Sequence, residues 1–152
     1  MAVSKFQFTN PMLLDFIFSL RDKPPKEGIP NEITPELKFH LNVTRAHDER
    51  EAAVELHLSI IQSDDDTTEE ALFKIEIMMG AMFSWDENVT EEHASKYLTQ
   101  NAPALLLSYM RPVVAQMTGL SPLPAYHIPF LDVRELFDES EPAVEAETSD
   151  KK

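Results

Sequence analysis

The sequence predicts an α+β domain: a four-stranded antiparallel sheet, a long helix in the C-terminal half, and a short final helix packed to one side. Three observations predict it. Three stretches before Gly80 alternate apolar and polar residues with a period of two, polar joints connect them, and helix signals appear only after Trp85. The chain has 152 residues, of which 43% are hydrophobic, enough for one domain with a core of its own.

The first strand is expected over Phe6 to Leu20, bent at Asn10-Pro11, because a proline in a strand belongs at an edge or a bulge. The next segment, "RDKPPKEGIPNEITP", holds four prolines and a glycine, so it reads as a long loop without regular structure. Then comes "ELKFHLNVTR", with Leu37, Phe39, Leu41 and Val43 on one face and Lys38, His40, Asn42 and Thr44 on the other. In "AVELHLSI" Val54, Leu56, Leu58 and Ile60 oppose Glu55, His57 and Ser59. In "ALFKIEIMMG" Phe73, Ile75, Ile77 and Met79 oppose Lys74, Glu76 and Met78. The joints "AHDERE" and "SDDDTTEE" are too short for a parallel crossover, so the pairing is antiparallel.

Thr90 is placed to cap a short helix that ends near Thr99, with Glu91 and Glu92 in its first turn, where the helix dipole favours acids. Asn101 is expected to cap a second helix, with Pro103 in its first turn and Pro112 bending it before it ends at Gly119. Asp132 and Glu135 form a capping-box pattern for the last helix. Residues 1–137 are the folded domain, and the acidic segment 138–152 is expected to be disordered.

The second helix carries an unusual load. "LTQNAPALLLSYMRPVVAQMT" is apolar enough to suggest a membrane span, yet Gln100, Asn101, Ser108, Arg111 and Gln116 are costly in hydrocarbon, and its prolines leave carbonyls unpaired. It must be buried in protein. Apolar residues lie nearly all round it, whereas a surface helix keeps a polar face. That surplus implies contact with other copies of the chain, with Leu106, Tyr109, Met110, Val113 and Met117 as the expected interface.

A net charge of −14 argues against binding nucleic acid or an anionic membrane surface. With no cysteine there is neither a disulfide framework nor a thiolate zinc site. Asn10, Pro11 and Asp15 interrupt the N-terminal apolar run, which therefore does not read as a cleaved leader; the expected location is the cytoplasm. Phosphate-binding, dinucleotide, nucleophile-elbow and zinc-protease motifs are missing, so no enzyme activity and no cofactor are expected. His40 and His57 point outward on neighbouring strands near Glu55, a conceivable weak metal site. Exposed strand histidines are more often simply polar, so no metal is expected. Met78, Met82, Phe83 and Trp85 before the helices, and Leu123, Tyr126, Phe130, Leu136 and Phe137 after them, are a second apolar surplus. Methionine adapts its shape, and such surfaces suit varied apolar partners.

The segments "NAPALLLSYMRPVV" and "LPAYHIPFLDVRELF" resemble the helix-and-loop core of the SecB family of protein-export chaperones. "FKIEIMMGAMFSW" resembles that family's last strand, and "FQF" with Asp15 and Phe18 resembles its first. The resemblance spans about Phe6 to Phe137. It implies a homotetramer built as a dimer of dimers that holds unfolded preproteins in apolar grooves and passes them to the SecA ATPase, needing no nucleotide or metal itself. By matching positions it implies a client groove at Met78, Phe83, Leu123, Tyr126, Leu136 and Phe137, and a SecA-facing surface at Asp15 and Glu76. Two positions depart from the family pattern: Ser19 replaces a frequent acid, and Lys74 stands two residues before Glu76 in place of an apolar residue. These departures leave open a divergent branch dedicated to an antitoxin or another single client.

Overall fold

The computed structural model describes residues 3–25, 28–46, 48–63 and 71–137, so the expected tail over 138–152 lies outside the described residues. The described chain forms strands β1 (Phe6–Phe8), β2 (Met12–Leu20), β3 (Glu36–Arg45), β4 (Glu51–Gln62) and β5 (Phe73–Trp85). Helices α1 (Glu91–Lys96), α2 (Ala102–Gly119) and α3 (Val133–Leu136) follow.

The sheet is antiparallel throughout, in the order β1/β2, β5, β4, β3. Its five strands fill four positions, because the expected bend splits the first strand and both pieces lie along one edge of β5. At the break, where Pro11 has no N–H to give, Thr9 holds the ladder. Its N–H donates to Met82 O (2.9 Å), and its Oγ1 accepts from Met82 N (3.0 Å). The first strand therefore pairs with the last, and the proline-rich loop carries the chain across to the far edge at β3. Ile29 and Ile33 in that loop pack against the core.

Alternation sets the faces. Leu41 and Val43, then Val54, Leu56, Leu58 and Ile60, then Phe73, Ile75 and Ile77 are all buried on one face. Helix α2 lies across β4 and β5 and covers that face with Leu106, Leu107, Met110 and Val114. Each such side chain contributes about 1.5–3 kcal/mol by leaving water.

Two expectations need correction. Asn101 is not an N-cap: its backbone is helical (φ −72°, ψ −43°) and its side chain makes no capping bond. Instead a π-helical turn, Tyr97–Asn101, joins α1 to α2, closed by the Ala102 N–H donating to Tyr97 O. Pro103 has no N–H to offer, and the wider turn takes up the change of register while the helix runs on. The second correction concerns the interface. Leu106 and Met110 are 0% exposed within this one chain, so they belong to its own core and cannot meet a neighbour. A helix that is apolar all round does not reveal which stripe packs on its own sheet. Helix α2 continues through Pro112; Ser108, which loses a partner for its carbonyl there, and Pro112 itself both face solvent.

The other expected caps form. Thr90 Oγ1 accepts from His93 N (3.2 Å), and Asp132 accepts from Arg134 N (3.0 Å).

Candidate client and partner surfaces

Among the described residues, three apolar surfaces remain open. The outward face of α2 shows Tyr109 (41% exposed) and Met117 (36%), with Val113 half-buried between them. On the sheet face away from α2, Met12, Leu14, Ile17 and Met82 stand exposed around the edge strand β2. The third is a cleft of about 580 Å³ between the π-helical turn and the last loop. Gln100, Asn101 and Ala104 form one wall, and Phe130 to Arg134 form the other. Phe130 is 98% exposed, and the Arg111 guanidinium lies 5.3 Å from its ring centre. Arg111 also donates to Ile128 O (3.3 Å) and Pro129 O (3.1 Å), which ties this loop to α2 and explains the helix's single charge.

The six residues expected to form a groove do not converge on one pocket. Phe83 is 1% exposed, roofed by Phe6, whose ring stacks on Phe83 (5.4 Å) and on Tyr97 (4.6 Å). Leu123 and Tyr126 are buried beside the C-terminal end of α2. There the Tyr126 N–H donates to Thr118 Oγ1 (2.8 Å), and burial pushes the Tyr126 phenol above its usual range. Leu136, exposed, and Phe137, half-buried, lie at the other end, where α3 meets the π-helical turn. From Ala104 to Thr118 the helix advances about 21 Å, so the two groups lie at opposite ends of α2. Met78 points to the opposite sheet face from Phe83, because five positions separate them in one strand.

The family model for the preprotein translocase subunit SecB matches residues 6–143 of this chain. The chain belongs to the SecB family. The protein-export protein SecB of Orientia tsutsugamushi (strain Boryong) is 23% identical over 134 residues, covering 86% of this chain and 76% of that protein. The SecB of strain Ikeda matches at the same identity. Among solved structures, a SecB-like chaperone of Mycobacterium tuberculosis, in complex with a ChAD peptide from the HigA1 antitoxin, shares the fold. The TM-score is 0.66 at 19% identity, covering 84% of this chain and 91% of that one. SecB-family membership makes this chain a chaperone for protein export. Among the described residues, no helix is long and apolar enough to cross a membrane.

Of the positions that the SecB pattern marks as partner-facing, Asp15 and Glu76 both point to the open sheet face. Asp15 pairs with Met78, and Glu76 lies two register pairs further along, opposite Ile17. Glu76 is not a free carboxylate. Ser59 Oγ donates to Oε1 (3.1 Å), Lys74 Nζ lies 3.3 Å from the same oxygen, and His57 Nε2 lies 2.7 Å from Oε2. The last contact is close, but it does not meet the geometry of an aligned hydrogen bond. Burial raises the Glu76 pKa, but Ser59, Lys74 and His57 together outweigh it and hold the carboxyl below its ordinary value.

Sequence reasoning missed Phe6 and Tyr97 as the roof over Phe83, and Arg111 as the anchor of the loop. The lone charge in an otherwise apolar helix was a usable signal for Arg111. Nothing local announced the Phe6–Tyr97 stack, which joins residues far apart in the chain.

Proposed function

We propose that this SecB-family protein is a holdase: it binds unfolded preproteins through exposed apolar surface and keeps them competent for export through the Sec translocase by way of SecA. The observation that carries the reading is the family match over 6–143. The exposed Phe130 at the cleft, and the exposed Leu136 in α3 beside it, support it. In this reading Leu136, Phe137 and Phe130 touch the client, while the buried Phe83, Leu123 and Tyr126 support the surface from below. Met78, with Met12 and Met82, offers a separate apolar patch on the other sheet face. The protein works in the cytoplasm as a homotetramer, a dimer of dimers joined through Tyr109, Val113 and Met117. It needs no cofactor and carries out no chemical step.

Delivery to SecA uses the open sheet face with Asp15 and Glu76. The Lys74 contact favours a second reading, because a cation beside Glu76 weakens docking on a basic partner. In that reading the protein guards one client; the Mycobacterium tuberculosis chaperone of the same fold is in complex with an antitoxin peptide. Co-purification from cell extract tests both. Many precursor proteins together with SecA support the export reading, and a sample dominated by one small protein supports the dedicated one. Recovery of neither overturns both.

A further inference from the structure

The open sheet face carries an arrangement of side chains that client holding at the cleft does not use. His40 on β3 and His57 on β4 are register partners and point to the same side. Directly opposed residues of an antiparallel pair place their Cβ atoms about 4.5–5.5 Å apart. Behind His57 stands the Glu76 carboxylate, 2.7 Å from Nε2 and fixed in turn by Ser59 and Lys74. A carboxylate this close to one imidazole nitrogen restrains the ring and leaves the lone pair of the other nitrogen free to ligate. Metal-ligating histidines are commonly supported in this way. Glu55, the acid that the sequence pointed to, is turned elsewhere: its Cγ packs over Gly80, 3.3 Å from where a Cβ on that glycine would sit.

We propose that His40 and His57 form a two-nitrogen site for a divalent first-row transition ion, with Glu76 as the positioning residue behind His57. Among the described residues no group of three His, Asp or Glu side chains converges on a point. The protein therefore supplies two ligands, and solvent completes the shell. Two imidazoles without a converging oxygen cage disfavour Ca²⁺ and Mg²⁺, which need oxygen ligands. For nitrogen donors the affinity order rises to Cu²⁺ and falls again at Zn²⁺. The site lies away from the cleft at Phe130, so it neither depends on client binding nor requires it.

The test is titration of the full-length, untagged, chelator-washed protein with Cu²⁺ alone and with Zn²⁺ alone, followed calorimetrically. The expected result is one ion per chain, with Cu²⁺ bound more tightly than Zn²⁺. His40→Ala and His57→Ala should each abolish saturable binding. Glu76→Gln should weaken it about 10- to 100-fold. His93→Ala and His127→Ala should leave it unchanged. His40→Gln, with folding confirmed by circular dichroism, replaces the alanine variant if that one does not fold. Absence of saturable Cu²⁺ binding, or equal loss in the His93 and His127 variants, overturns the proposal and leaves the chaperone reading untouched.

Discussion

Leu14 lies directly over Gly80. A Cβ added to Gly80 would stand 2.9 Å from Leu14 Cδ1 and 3.2 Å from the Val54 carbonyl oxygen. β2 shifts register between Leu13 and Asp15, and the bulged Leu14 fills the space that the glycine leaves on the open face. The glycine in a central strand thus has a packing cause.

Gly80→Val should destabilise the fold by about 1–3 kcal/mol through overpacking, read by urea unfolding. Adding Leu14→Ala should recover part of that loss, because it removes the atom in the way. Strict additivity of the two changes would show that the contact does not limit the site.

Thr118 is a polar side chain wholly buried in the fold. Its hydroxyl accepts from the Tyr126 N–H and donates to Val114 O (2.8 Å). Thr118→Val keeps the shape but orphans a buried N–H, at a cost of about 1–3 kcal/mol. Hydrogen exchange at the Tyr126 amide should accelerate in the variant. An unchanged rate would mean that the loop is held by other contacts.

Glu76 sets a pH dependence whose sign follows from its lowered pKa. The carboxyl starts from 4.5 and is shifted down in the folded protein. Its contribution is complete above the unfolded value and is lost as pH falls through the folded one. Unfolding free energy measured from neutral pH into that acid range should fall less steeply for Glu76→Gln than for the parent. Parallel curves would contradict the network of Ser59, Lys74 and His57.

Arg45 joins the sheet to the start of the helices. Its guanidinium makes two bonds to the Glu91 carboxylate (2.7 and 2.9 Å), donates to Glu49 O (3.1 Å) and lies 4.7 Å from the centre of the Trp85 ring. The pairing holds Glu91 below its usual carboxylate range and raises Arg45 further. Arg45→Ala should cost about 1 kcal/mol, mostly through Trp85 packing, since the ion pair is open to solvent. Raising the salt concentration should change that cost little. A large salt effect would assign it to the ion pair instead.

The three alternating strands were legible because each buries one face, and a period of two leaves no freedom about which residues go inside. The pairing of Phe6 to Leu20 with β5 was not legible, since it depends on a contact between segments far apart in the chain rather than on local pattern. Asn101 looked like a cap because Asn is a common N-cap and Pro103 suits the first turn of a helix; the π-helical turn that keeps the helix continuous has no comparable local mark. In the candidate site, the opposite orientation of Met78 and Phe83 could be read from their spacing alone. The burial of Leu106 and Met110 could not, because every stripe of that helix is apolar, and only docking on the sheet selects one.

Assembly is open to a direct check. Light scattering coupled to size exclusion should give a mass near four times the 17.3 kDa of one chain. Tyr109→Asp or Met117→Asp should reduce it without unfolding the monomer, because both side chains are exposed on α2. A monomeric parent protein would contradict the proposed interface.

The central claim is that this protein holds unfolded chains. A preprotein diluted from denaturant into a stoichiometric amount of the protein should refold and aggregate more slowly than it does alone. Phe137→Asp should lose that effect while keeping the parent's assembled mass. Refolding and aggregation at the same rate with and without the protein would contradict the claim.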